Sequence, residues 1–162
     1  MTARIPGIGE SGIEKIRAAK VLVVGAGGLG SPVLAYLAAA GIGTIGISDP
    51  DNLEESNLQR QVIHGVARLG MNKAESAKIT VLALNPDIQV NIEPKIIDGQ
   101  SDETVAAYDF VVDATDNFTA KYAISDTCAR VGRPHMWGTL VSMSFQASLF
   151  TDGLTLRDIY PE

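Results

Sequence analysis

From Val21 to Pro32 the chain reads V-L-V-V-G-A-G-G-L-G-S-P, and an apolar stretch of helical length then continues to Gly41. Aliphatic residues that run into glycines and straight on into a helix predict a strand, a tight turn and a helix packed back on that strand. Gly25 permits the turn, Gly27 or Gly28 lets backbone approach a phosphate, and Gly30 allows close helix–strand packing. The free N–H groups at the helix start attract an anion, and Pro32 sits where its missing donor costs nothing. A second strand over Gly43 to Ile47 delivers Asp49, where a dinucleotide-type fingerprint places an acid for ribose hydroxyls. The same pattern also describes a bare packing turn with nothing bound.

No charge occurs between Lys20 and Asp49, a run long enough to suggest a membrane span. Its glycines and Pro32 cut it into pieces too short to cross a bilayer, so the expectation is a buried strand–helix–strand unit and no membrane association. A length of 162 residues predicts one domain over 1–162. The 46% hydrophobic and 20% charged residues suit a soluble globular chain, and the net charge of −6 disfavours nucleic acid and anionic membranes as partners. A single cysteine, Cys128, excludes an internal disulfide framework and a zinc site built from cysteine pairs. Residues 1–20 carry Arg4, Glu10, Glu14, Lys15, Arg17 and Lys20 without a signal-type apolar run, so a cytoplasmic protein is expected.

Pro6-Gly7-Ile8-Gly9 marks a turn, and Ile13, Ile16 and Arg17 suggest a short helix up to Ala19 that packs under the first strand. Ser56-Asn57-Leu58-Gln59 has the form of a capping box for a short helix. Asn72, with Glu75 three positions on, caps a helix whose apolar positions include Ala77, Val81 and Leu84, and Pro86 stops it. Ile88, Val90 and Ile92 alternate as a third strand does. A helical piece near Asp102 to Ala107 precedes a fourth strand, Phe110-Val111-Val112, which ends in D-A-T-D-N. A helix from about Phe118 to Val131 stops at Gly132. Pro134 to Trp137 reads as a short fifth strand, and the strict alternation from Met143 to Leu149 fits a half-exposed antiparallel strand. The expected fold is therefore α/β: a Rossmann-like, doubly wound, mainly parallel sheet flanked by helices, with an antiparallel strand near the C-terminus. Asp49, Asp116 and the 56–60 box all follow strand ends and should converge on one crevice.

Several residues carry two readings. Arg60 forms a surface ion pair with Glu54 or Glu55, or it meets a phosphate. Lys73 opposes the dipole of the helix it starts; it is either a solvated lysine or a phosphate partner. Asp116 caps the following helix, or it supplies a hard oxygen ligand for Mg²⁺ on a nucleoside triphosphate. Asn57 donates to phosphate or closes its turn, and Asp113 reads as an orienting acid. Cys128 and His135 read as core and sheet packing, and no Ser-His-Asp arrangement can be assembled.

The stretches G-A-G-G-L-G-S-P, D-P-D-N-L-E-E-S-N-L-Q-R-Q, G-M-N-K-A-E-S-A and D-A-T-D-N-F together resemble the ubiquitin-activating-enzyme-like superfamily, especially MoeB/ThiF-type adenylyltransferases. That resemblance implies ATP and Mg²⁺ as cofactors, adenylation of the C-terminal glycine carboxylate of a ubiquitin-like sulfur-carrier protein in molybdopterin or thiamine biosynthesis, and a homodimer. It puts ATP contacts on Gly25, Gly27, Gly28, Gly30, Asp49, Ser56, Asn57, Arg60, Lys73, Asp116 and Asn117. The catalytic roles fall on Arg60, Lys73 and Asp116, with Asp116 holding Mg²⁺. Three features differ from the family pattern: Arg4 is out of register with the arginine that reaches a neighbouring subunit's ATP, no CxxC pair occurs, and the region that usually carries a catalytic cysteine is not included. Hence the expectation of a partly represented protein without a zinc site. Two other readings are a nucleotide-binding module without turnover and an NAD-dependent oxidoreductase, the latter resting on the glycine turn and Asp49 alone.

Overall fold

Val21 to Val24 are buried without interruption, the signature of a central strand covered on both faces. In the computed structural model, which describes residues 8–161, they belong to β1 (Lys20–Val24). The chain then runs through α2 (Gly30–Ala40), β2 (Thr44–Ser48), α3 (Lys73–Leu84), β3 (Gln89–Ile92), α4 (Asp102–Ala106), β4 (Phe110–Asp113), α5 (Phe118–Val131), β5 (His135–Val141) and β6 (Ser144–Phe150), with α1 (Gly9–Ala18) ahead of β1. The strands form one sheet in the order β3-β2-β1-β4-β5-β6. All pairings are parallel except β5 with β6. This is the doubly wound, mainly parallel sheet with one antiparallel strand that the sequence predicts.

Alternation along β1 sorts the core into two layers. Val21 and Val23 pack with Leu34, Ile45, Ile47 and Val81 under α2 and α3, whereas Leu22 and Val24 join Val111, Ile124 and Cys128 on the α4–α5 side. The chain leaves β1 in opposite directions through β2 and β4, so the carboxyl ends of these strands open a crevice at the switch point.

Two glycines make that corner possible. Gly25 has φ +97°, and a Cβ there would lie 2.7 Å from the Ala114 carbonyl oxygen. At Gly30 a Cβ would meet the Gly25 carbonyl oxygen at 1.9 Å, a distance no real contact tolerates. Gly30→Ala is therefore expected to destabilise the protein by about 3 kcal/mol, read as a melting temperature about 6–12 °C lower. Gly27→Ala, whose added Cβ meets only Gln61 Nε2 at 3.7 Å, is the control and should cost less than about 1 kcal/mol. Equal melting temperatures for the two variants would refute the packing role of Gly30.

Five sequence expectations are corrected. Helix α1 buries none of its residues; it docks by its C-terminal end, where Gly43 N–H donates to the Ile16 carbonyl (3.2 Å) and Thr44 N–H to that of Ala19 (3.1 Å). The capping box lies earlier than 56–59: Glu54 caps a 3-10 turn over Glu55–Asn57, and the Asn57 side chain accepts from Glu54 N–H. Strand β5 extends past Trp137 to Val141 because β6 pairs along its whole length, while β4 stops at Trp137. Beyond that point the β5–β6 hairpin overhangs the sheet, so β6 is almost wholly exposed rather than half-exposed, and only Phe150 is buried. Leu84, at the end of α3, is exposed as well. Arg4 and the Pro6-Gly7 part of the first turn lie outside the described residues. Among the described residues no helix is long and apolar enough to cross a membrane.

Candidate functional site

The crevice at the carboxyl ends of the parallel strands encloses about 950 Å³, a volume suited to a small-molecule ligand. Gly25, Gly27, Gly28, Asp49, Asn57, Arg60, Lys73, Asp116 and Asn117 all line it. The glycine turn, the 54–61 segment, the start of α3 and the D-A-T-D-N corner thus meet although they are far apart in sequence. Gly30 and Ser56 do not belong to that lining. Gly30 lies against the Gly25 carbonyl, and the exposed Ser56 turns its hydroxyl to Glu54 (3.4 Å).

Asp49 follows β2 and ties the glycine turn in place. Its Oδ2 accepts from Ala26 N–H (2.8 Å) and its Oδ1 from Asp51 N–H (3.0 Å), which leaves each oxygen with unused acceptor capacity. Arg60 extends over Gly28, to whose Cβ position its side-chain carbons come within 3.7 Å. Its guanidinium donates to the Ser56 carbonyl (3.3 Å); no ion pair with Glu54 or Glu55 forms. Lys73 is not a solvated lysine. It is only 8% exposed and its Nζ pairs with Asp51 Oδ2 at 3.1 Å, which offsets the cation's unfavourable place at a helix N-terminus.

Asn72 performs its expected cap, accepting from Ala74 and Glu75 N–H. It also donates to the carbonyl oxygens of Asp49 (2.9 Å) and Asp51 (3.2 Å), binding the end of β2 to the start of α3. Asn117, rather than Asp116, caps α5 by accepting from Ala120 N–H (2.8 Å). The Asp116 carboxylate stands exposed at the crevice, and among the described residues nothing donates a hydrogen bond to it. A single hard carboxylate beside open space fits a Mg²⁺ ion that takes its other oxygens from phosphate and water, not an all-protein cage. Among the described residues no group of three or more His, Cys, Asp or Glu is arranged to hold a metal.

Four residues around this crevice escaped sequence reasoning. Lys121 is 1% exposed; its Nζ lies 3.5 Å from Asp113 Oδ1 and donates to the carbonyls of Thr115 (2.6 Å) and Gly138 (2.9 Å). Burial raises the Asp113 pKa and lowers that of Lys121, while their attraction opposes both shifts. The signal was its place one turn before Ile124 and two before Cys128, on the buried face of α5. Asp51 carried no signal beyond its place after Asp49, and neither Gln61 nor His64 carried a local one. Gln61, 3% exposed, is among the residues that line the crevice, and its buried Oε1 has no hydrogen-bond partner among the described residues. His135 and Cys128 are core groups as expected: His135 stacks on Phe150 and burial pushes its pKa down to about 4, while the buried Cys128 thiol is pushed up to about 12.

A family model described as the ThiF family matches residues 2–162. The probable adenylyltransferase/sulfurtransferase MoeZ of Mycobacterium tuberculosis is 46% identical over 165 residues, covering 98% of this chain and 42% of that protein. The SAMP-activating enzyme E1 of Haloferax volcanii is 43% identical over 157 residues, with 96% and 58% covered. The crystal structure of E. coli MccB with MccA-N7isoASN superposes with a TM-score of 0.80 at 31% identity, over 87% of this chain and 42% of that one. MccB crystallised with AMPCPP and MccA gives 0.75 at 29% identity, over 87% and 43%. The chain thus spans less than two thirds of the length of each of these relatives. With the glycine turn, the S-N-L-Q-R-Q box, the start of α3 and the D-A-T-D-N corner gathered at one crevice, this chain belongs to the ThiF family.

Proposed function

We propose that this chain supplies the nucleotide site of an ATP-dependent adenylyltransferase that activates the C-terminal glycine carboxylate of a ubiquitin-like sulfur-carrier protein. The observation that carries the reading is the convergence of Arg60, Lys73 and Asp116 on the crevice beside Gly27 and Gly28. Relatives named for adenylyltransferase and SAMP-activating activities, and the MccB structure with AMPCPP, support it.

The chemistry suits these side chains. A carrier carboxylate oxygen attacks the α-phosphorus, a new P–O bond forms, and the bond to pyrophosphate breaks. The protein needs no nucleophile of its own; it must orient the two reactants and neutralise charge on the equatorial and leaving oxygens. Arg60 over Gly28, and Lys73 exchanging Asp51 for phosphate, supply that charge. Asp49 faces the ribose and the glycine turn takes the phosphate backbone. Asp116 would hold Mg²⁺, which when bound draws charge from the phosphate oxygens. In this reading the protein works in the cytoplasm as a homodimer, and a monomeric mass in solution would count against the dimer.

The test is carrier-dependent exchange of labelled pyrophosphate into ATP by the full-length protein. Exchange with molybdopterin- or thiamine-type carriers is expected, and its loss by at least about 10²-fold in Asp116→Ala. Mg-ATP binding without exchange on any carrier would leave a nucleotide-binding module. Stronger protection from melting by NAD than by Mg-ATP would favour an oxidoreductase.

A further inference from the structure

His64 lies in the loop between the Arg60 segment and α3, 8% exposed, and both ring nitrogens are engaged. Nε2 is 2.9 Å from the Ala26 carbonyl oxygen and Nδ1 is 2.9 Å from Ser76 Oγ. A carbonyl only accepts, so Nε2 carries the proton and Nδ1 accepts from the Ser76 hydroxyl. Ala26 is the residue between Gly25 and Gly27, and Ser76 lies one helical turn beyond Lys73.

These bonds close a circuit. Ala26 N–H reaches Asp49 Oδ2, the Asp49 carbonyl receives Asn72 Nδ2, Ser76 N–H donates to the Asn72 carbonyl (2.9 Å), and Ser76 returns through His64 to Ala26. Each side of Ala26 is thereby anchored, one to β2 and one to α3. We propose that His64 is a positioning residue for the nucleotide site: as the neutral Nε2–H tautomer it fixes the glycine turn against α3, and so sets Gly27 and Gly28 against the Lys73 ammonium.

The surroundings favour that neutral form. Burial lowers the His64 pKa, as do Arg68 and Lys73, whereas Asp49 and the Ala26 carbonyl act the other way without reversing the shift. Arg68 is itself committed to the Ser76 carbonyl and to Thr80 Oγ1 (2.7 Å), so the cation beside the ring is held in place. A protonated ring would lose the acceptor that Ser76 uses.

The inference rests on the nucleotide reading above, and its test separates the two. The probe is Mg-ATP, titrated calorimetrically into the native protein, His64→Ala, His64→Gln and Ser76→Ala, together with ¹⁵N spectra of the histidine rings. The expected spectrum shows His64 as the Nε2–H tautomer at neutral pH, with ring shifts that respond to Mg-ATP while those of His135 do not. His64→Ala should bind Mg-ATP about tenfold more weakly, about 1.4 kcal/mol, and Ser76→Ala a few-fold more weakly. His64→Gln, whose amide can donate to Ala26 and accept from Ser76, should recover most of the loss. A purely structural histidine would lower the melting temperature of all three variants and leave affinity in the folded protein unchanged. An Nδ1–H tautomer, or a folded His64→Ala that binds within twofold of native, would overturn the inference alone. A native protein that binds no Mg-ATP would overturn the nucleotide reading itself.

Discussion

In Arg60→Ala, carrier-dependent pyrophosphate exchange is expected to fall by about 10²–10³-fold, the loss seen when one preorganised donor is removed from developing charge. The guanidinium lies over Gly28 at the crevice mouth and uses one donor on the Ser56 carbonyl, so the rest of its fork is free for phosphate. That single surface contact contributes little to folding, and the melting temperature should stay within about 2 °C of native. Arg60→Lys should recover only part of the rate, because a point charge cannot reproduce a planar fork on two phosphate oxygens. Exchange within threefold of native in a folded Arg60→Ala would remove Arg60 from the chemistry.

The largest effect on stability is expected at Lys121. Replacing it by methionine leaves Asp113, whose side chain is fully buried, without its cation, and strips the Thr115 and Gly138 carbonyls of their shared donor. Removing one partner of a buried pair typically costs about 3–5 kcal/mol. For a chain of this size that lowers the melting temperature by about 6–20 °C. The pH dependence has a definite sign. Burial raises the folded pKa of Asp113 above its unfolded value, and losing the lysine raises it further. The folded variant then binds the extra proton, so the deficit is greatest at pH values above that raised pKa and shrinks as pH falls through it. Urea melts of native and Lys121→Met protein at pH 7 and pH 5 measure this, and adding Asp113→Asn to the variant should return part of the loss at pH 7. A deficit below about 1 kcal/mol, or one that grows on acidification, would contradict the proposed role of the pair.

Local sequence determined the elements that local forces make. Aliphatic runs bounded by glycine specify β1 and α2, Asn72 specifies the start of α3, and Gly132, with φ +69°, ends α5 as its left-handed preference dictates. The close helix–strand packing at Gly30 was legible for the same reason, since strand, turn and helix are adjacent in the chain; that the group it meets is the Gly25 carbonyl came from the structure. The meeting of Asp49, Arg60 and Asp116 was legible through topology, because each follows a strand end or lies on the connection leaving it and parallel strands put those ends together; Lys73 was placed with them only by the family resemblance.

Contacts between distant segments were decided by the tertiary structure alone. Periodicity placed the end of β5 at Trp137, but pairing with β6 carries it on to Val141. Lys73 read as either a solvated cation or a phosphate partner, and nothing local gave it a protein partner; the fold brings Asp51, on the connection after β2, within 3.1 Å of it. Lys121 resembled an ordinary helix residue until the Asp113 carboxylate of β4, the Thr115 carbonyl just beyond it and the Gly138 carbonyl of β5 enclosed it. The physical reason is the same in each case: propensity and periodicity act within a few residues, whereas the pairing of a strand edge and the neutralisation of a buried charge depend on which partners the fold brings to them.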